Sequence, residues 1–214
     1  MTTTAGVPDR FAPALTRRAF VKASAAAAGG LALGFHLPAA AAKHAPWEAG
    51  ETGTEINAWL VIAPDDTVTI RVAQSEMGEG VFTAMPMIVA EELDCDWTKV
   101  QAEYASANRS VTNNRVYQRM GTGGSGAVRR SREYLQQAGA SARERLKAAA
   151  AEQLGVPASE LRTDLGVVHH DGSGRTLRYG ELASAAATVE LAAEPAIRTP
   201  EQFKLLGKPQ KRID

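Results

Sequence analysis

Two glycine-rich runs are the places where this chain has the residue types and spacing for chemistry: Gly78-Glu79-Gly80, and Gly121-Thr122-Gly123-Gly124-Ser125-Gly126. The first follows a β-branched stretch and precedes apolar residues at helical spacing. The second opens a long Ala/Arg/Glu/Leu segment that carries Arg129, Arg130 and Arg132 in its first turns. Glycines at such a junction let backbone N–H groups approach an anion, and the start of a helix adds a partial positive charge, so phosphate-type recognition is the functional reading of both. Either run also reads as a plain tight turn.

Other chemistries fit less well. Gly121-x-Gly123-x-x-Gly126 satisfies the dinucleotide-binding spacing, but Val111–Met120 before it is polar rather than an apolar strand, and the position about 20 residues on lies inside a helix. No Lys-Ser/Thr follows either run, which excludes a Walker loop. The one cysteine, Cys95, cannot form an internal disulfide or a zinc-ribbon or iron–sulfur site, and is expected to pack as a small buried hydrophobe. His169 and His170 are adjacent beside a turn and cannot both face one metal, so no metal ligand is assigned. With 24 Lys+Arg against 24 Asp+Glu the chain has no global charge that points to nucleic acid.

The elements that must position these runs follow from pattern. Ile56–Ala63 alternates apolar and polar residues, Pro64-Asp65-Asp66 is turn chemistry and Thr67–Ala73 is β-branched, which predicts a hairpin. Phe82–Leu93 reads as a helix with Pro86 tolerated in its first turn, and Val100–Tyr104 as a short strand. Ser106–Arg119 reads as a polar, irregular loop. The helix that follows the second glycine run extends to Leu154 and is stopped by Gly155 and Pro157. A second hairpin pairs Val167–His170 with Thr176–Tyr179, and Tyr179–Ala187 makes a short helix. The expected fold class is α+β: one small mixed sheet with two or three helices packed on it.

Ahead of this domain, Thr16-Arg17-Arg18-Ala19-Phe20-Val21-Lys22 precedes a weakly apolar Ala/Gly/Leu stretch and small residues from Ala39 to Ala42. Paired arginines, an apolar region and an A-x-A-like site make a twin-arginine signal over residues 1–42, which predicts export of a folded protein to the periplasm by the Tat machinery. Residues 43–54 read as a linker, 55–190 as the domain, and 191–214 as a Pro-rich, basic run-out toward a further domain.

The string Val72-Ala73-Gln74-Ser75-Glu76-Met77-Gly78-Glu79-Gly80-Val81-Phe82-Thr83, with Ala90-Glu91-Glu92-Leu93 after it and Gly121–Gly126 followed by Arg129 and Arg130, resembles the molybdopterin-binding large subunit of the xanthine dehydrogenase/aldehyde oxidase family. The likeness is greatest to its exported branch, typified by isoquinoline 1-oxidoreductase β subunits, and spans roughly residues 55–214. It implies that Gly78, Glu79 and Gly80 touch the pterin of molybdopterin cytosine dinucleotide, and that Thr122, Gly123, Gly124 and Ser125 bind its phosphate and nucleotide portion. Glu79 stands where the family most often has glutamine, which replaces a donor amide by an acceptor. The resemblance further implies molybdenum held by the cofactor's own dithiolene, hydroxylation of an aldehyde or N-heterocycle, a 2Fe-2S small subunit as electron partner, and about three quarters of the large subunit lying beyond these residues. The family's catalytic glutamate, in a Gly-x-Gly-Glu setting, belongs to that later part, so no catalytic residue is assigned here. A different outcome, an exported α+β binding domain without redox activity, would leave both glycine runs as plain turns.

Overall fold

The computed structural model describes residues 53–213, all within one compact unit, and the predicted signal at 1–42 lies outside the described residues. A four-stranded sheet is formed by β1 (Thr54–Asn57), β2 (Leu60–Ile62), β3 (Val68–Val72) and β4 (Val100–Tyr104) in the order β1-β2-β3-β4. The expected first strand, Ile56–Ala63, is therefore two strands. Asn57 accepts the Trp59 N–H on its side-chain oxygen at 2.9 Å and reverses the chain at Ala58-Trp59, without any glycine or proline to signal it. β2 and β3 pair antiparallel, with Leu60 opposite Ile70, whereas β3 and β4 pair parallel, with Ile70 opposite Ala102.

Parallel strands need a crossover, and α1 (Val81–Leu93) supplies it. Its buried residues lie on almost every side, because α1 packs between the sheet and the long helix α3 (Ala127–Leu154). The two helices touch closely at Gly139: a Cβ there would sit 2.4 Å from the Val89 carbonyl oxygen and 2.8 Å from Glu92 Cβ. Pro86 is the sixth residue of α1 rather than part of its first turn, so it cannot donate the usual hydrogen bond to the Phe82 carbonyl. Gly155, at φ 68°, ends α3 as the sequence predicts.

Ser106–Arg119, expected to be irregular, contains the short helix α2 (Ala107–Thr112), nucleated by Ser106, whose hydroxyl accepts the Arg109 N–H at 3.2 Å. A second, three-stranded antiparallel sheet follows: β5 (Leu161–Asp164), β6 (Val167–His170) and β7 (Arg175–Arg178). The expected hairpin is its β6–β7 half, and β5 was not foreseen. The α+β class holds, with the strands divided between two sheets instead of one. Helix α4 (Tyr179–Ala186) closes the order, its buried Tyr179 donating a hydrogen bond to the Leu93 carbonyl at 2.8 Å.

The core is continuous from β1–β4 through α1 to α3 and α4, with Leu60, Ile62, Ile70, Leu93, Leu135, Leu146 and Leu182 fully enclosed. Arg71 is enclosed as well. Its guanidinium meets Glu55 at 2.6 Å and Glu103 at 2.9 Å and donates to the Ala58 carbonyl at 3.1 Å, which satisfies a charge that could not otherwise be buried.

Residues 191–213 carry little regular structure, yet they form a strap across α1. The Glu91 carboxylate accepts the backbone N–H groups of Lys204, Leu205 and Leu206 at 2.6 to 3.0 Å and pairs with Arg198 at 2.9 Å. Glu92 accepts the Arg198 N–H at 2.9 Å, and Asp94 pairs with Arg198 and Lys204 at 2.8 and 3.0 Å. Burial pushes the Glu91 carboxyl up, but the three backbone amides and Arg198 outweigh it and hold the group below the usual carboxylate range.

Candidate functional site

The two glycine runs, remote in sequence, come together. Thr122 Oγ1 donates to the Ser75 carbonyl at 2.8 Å, and Gln74 Nε2 donates to the Arg119 carbonyl at 2.7 Å. Between the runs lies an open cleft of about 580 Å³, lined on one side by Met77, Glu79, Val81 and Ala84 and on the other by Thr122–Val128. Of the residues singled out from sequence, Glu79, Thr122, Gly123, Gly124 and Ser125 line this cleft; Gly78 and Gly80 shape the turn behind it. Met77, Val81, Ala84, Ala127 and Val128 line it without having been given a role from sequence, and Met77 is 70% exposed.

Each wall is built by local sequence. Gly78 and Gly80 adopt φ of 104° and 87°, and Gly124 a φ of 60°, conformations that side chains with a Cβ resist. A Cβ at any of these three positions would meet nothing within 4 Å. Glycine is therefore required by the backbone path and not by packing within the chain, and the backbone face at the cleft stays open.

The walls differ electrostatically. Glu76 folds back under the first turn: its Oε1 accepts the N–H groups of Gly78 and Gly80 at 2.7 and 2.8 Å, and its Oε2 accepts that of Phe82 at 2.9 Å. Glu79 accepts the Met77 N–H on Oε2 at 2.7 Å, an acceptor where glutamine could also donate. The expectation that the first run offers free amides to an anion is thus corrected, because a carboxylate of the chain already holds them. Across the cleft, Gly126 precedes α3 with no side-chain cap and there is no acidic residue in the first turn. The first N–H groups of a helix have no intrahelical acceptor, so this wall presents orphan donors and the positive end of a 28-residue helix.

Of the arginines expected beside the second run, Arg130 stays against it and Arg129 and Arg132 do not. Arg130 lies against Gly126, with its Nε 2.9 Å from where a Cβ would be, and lines a separate cavity of about 230 Å³ together with Gln74, Arg119 and Tyr134. Arg132 hydrogen-bonds Gln136 at 3.2 Å and stacks over the Phe203 ring of the strap. Arg129 is exposed and lines neither cavity. Positive potential at the cleft therefore comes from the helix terminus, with the Arg130 guanidinium beside Gly126.

Cys95 and His170 are held within the fold. Cys95 is buried, and desolvation together with the neighbouring Asp94 and Asp96 pushes its thiol up to about 12. His170 is buried between the Ser173 hydroxyl at 2.7 Å and Glu160 at 3.0 Å. Among the described residues, no group of three or more His, Cys, Asp or Glu could hold a metal ion.

The chain is similar to known proteins. The chain is 36% identical over 179 residues to the isoquinoline 1-oxidoreductase subunit beta of Brevundimonas diminuta, covering 82% of this chain and 22% of that protein. It is 29% identical over 209 residues to a membrane-bound aldehyde dehydrogenase [pyrroloquinoline-quinone] of Gluconacetobacter polyoxogenes, covering 94% of this chain and 26% of that one. Among solved structures, quinoline 2-oxidoreductase from Pseudomonas putida 86 aligns with 60% of this chain and 16% of its own, at 21% identity and a TM-score of 0.44. The chain thus spans about a quarter of the length of the curated relatives it matches. A sequence profile for the molybdopterin cofactor-binding domain matches residues 16–211, and the chain belongs to that family, the cofactor-holding domain of molybdenum hydroxylase large subunits.

Proposed function

We propose that this chain forms one part of a molybdopterin cytosine dinucleotide site in a molybdenum hydroxylase that oxidises aldehydes or N-heterocycles. The supporting observation is the cleft itself: two glycine runs separated by some forty residues meet across it, tied by Thr122 to Ser75. The residues present fit the group. Gly78, Gly80 and Gly124 leave an open backbone face, and the uncapped start of α3 offers donors to an anion.

On this reading the Met77–Gly80 turn lies along the pterin, with Glu79 accepting hydrogen bonds from it, and Thr122, Gly123, Gly124 and Ser125 hold the phosphate end against α3. When bound, the cofactor supplies the two-electron redox chemistry at molybdenum, and this chain orients it. Water as oxygen source and a 2Fe-2S subunit as electron acceptor follow from the same reading, as do the remaining large-subunit domains as partners. The named activity of the Brevundimonas relative supports the N-heterocycle alternative.

Export belongs to the same proposal. Arg17-Arg18 before an apolar stretch would take the folded, cofactor-loaded protein to the periplasm by the twin-arginine route.

The deciding experiment is Gly124→Val in the assembled enzyme, measured as molybdenum and cytosine-nucleotide content. A β-branched residue at φ 60° distorts the turn and fills the backbone face. Losing two charge-assisted hydrogen bonds at ~1.5–3 kcal/mol each lowers cofactor affinity by a factor on the order of hundreds to ten thousand. Cofactor content equal to wild type would refute the phosphate role of this loop.

A further inference from the structure

The amides at the start of α1 are arranged as a glycine loop arranges them for an oxyanion, and the oxyanion is supplied from within the chain. Gly78 and Gly80 N–H converge on Oε1 of Glu76 at 2.7 and 2.8 Å, Phe82 N–H reaches Oε2 at 2.9 Å, and the Arg212 guanidinium lies 3.7 Å from Oε1. The Glu76 side chain is 14% exposed, so the ligand sphere of this carboxylate is mostly protein. Helix N-termini and successive backbone N–H groups give phosphate the same coordination.

We infer that Glu76 is an internal anion that closes the first glycine turn to phosphate and so determines which of the two loops takes the phosphate of the bound ligand. The inference rests on the cleft being the cofactor site, and it adds a residue that selects the ligand's direction within it. A phosphate oxygen brought to about 4 Å from the Glu76 carboxylate would be disfavoured on the order of a thousandfold at an effective dielectric near 20. The opposite wall has no such charge: Gly126 carries no cap and the first turn of α3 no acid. Glu76 also fixes the turn before any ligand arrives, because its two oxygens bridge three amides across five residues. Arg212 brings the end of the strap into the same arrangement, reinforced by the Ile213 N–H donating to Thr83 Oγ1 at 3.1 Å.

The test is an amide-resolved NMR titration of the full chain with inorganic phosphate, wild type beside Glu76→Ala. In wild type the Gly78, Gly80 and Phe82 resonances stay fixed. In Glu76→Ala they move saturably, because the vacated amides accept phosphate. Formate, which replaces the missing carboxylate, raises the melting temperature of Glu76→Ala and leaves wild type unchanged, a rescue that a merely space-filling role for Glu76 would not show. Saturable shifts at Gly78 and Gly80 in wild type overturn the inference, as does a Glu76→Ala variant indifferent to both anions. Should Glu76→Ala not fold, Glu76→Gln keeps the side-chain volume, and hydrogen exchange at Gly78 and Gly80 should then quicken about tenfold or more; unchanged exchange overturns the inference. Resonances of Gly124 and Ser125 report on the second loop separately. Their failure to respond, with the Glu76 pattern intact, would refute the phosphate role of that loop alone.

Discussion

Replacing Gly139 by alanine should destabilise the domain even though alanine is the better helix former. A Cβ at this position would lie 2.4 Å from the Val89 carbonyl oxygen, 2.8 Å from Glu92 Cβ and 3.2 Å from the Leu93 nitrogen. An ordinary carbon–oxygen contact is about 3.3–3.6 Å, so α1 and α3 would have to separate by roughly 1 Å. The obstacle is backbone and cannot rotate away. Nor is α1 free to retreat, since the sheet lies behind it and the strap crosses it through Glu91 and Glu92. Overpacking of this kind costs ~1–3 kcal/mol or more, and contact with backbone places Gly139→Ala at the upper end. Gly→Ala inside a helix returns ~1 kcal/mol. The net loss is about 2 kcal/mol, which for a domain of this size lowers Tm by roughly 4–8 °C. Thermal unfolding of the full chain followed by circular dichroism measures it. A variant that melts with wild type or above it would show that the helices are not in the close contact described.

Three further outcomes are expected. Because the folded pKa of Glu91 lies below its ordinary 4.5, its stabilising contribution is complete above that pH and is lost as pH falls through the folded value; urea midpoints should drop below pH 4.5, and Glu91→Gln, about 3 kcal/mol less stable at pH 7, should show a shallower acid limb. An equally steep acid limb in Glu91→Gln would refute the assignment. Cys95, with its thiol pushed up to about 12 and buried, should resist iodoacetamide at pH 8 in the folded protein and react once urea unfolds it, so stoichiometric labelling without denaturant would count against its burial. Replacing Arg17 and Arg18 together by lysine should retain the protein in the cytoplasm, since the twin-arginine receptor reads the paired guanidinium groups; periplasmic recovery of the double variant would overturn the export proposal.

The parts of the fold that were legible in the sequence are those fixed by local chemistry. α3 ends at Gly155 because that residue takes φ 68°, and β6–β7 reverse at Asp171–Gly174, where turn residues cluster. The parts that were missed are fixed at a distance. β1 and β2 separate at Ala58-Trp59, which carries no turn residue, because Asn57 caps the reversal and the Trp59 carbonyl accepts the Arg71 N–H from β3. β5, with Arg162 and Asp164 among its four residues, has no apolar signature and exists through its pairing with β6. At the cleft, the glycines were visible because special φ values demand them. Glu76 stood within the quoted motif, but nothing in one sequence tells an acid that caps its own turn from one that faces solvent. Arg129 and Arg132 misled for the converse reason: proximity in sequence to a helix start does not fix where a long side chain goes.

The strap has a consequence for the order in which the domain assembles. Glu91, Glu92 and Asp94 sit on or at the end of α1, yet their partners Arg198 and Lys204–Leu206 lie more than a hundred residues later. During synthesis, α1, α3 and both sheets emerge first, when Glu92 can already meet Gln136 and Arg143 and Asp94 can meet Thr163, but Glu91 still lacks Arg198 and the three strap amides that compensate it. A nascent chain shorter than about two hundred residues therefore has reason to remain loose around α1, and it tightens only when the strap clears the ribosome. The ion pair of Arg212 with Glu76 waits for the strap as well, so the geometry of the first glycine turn is completed later than the strand and helix that flank it.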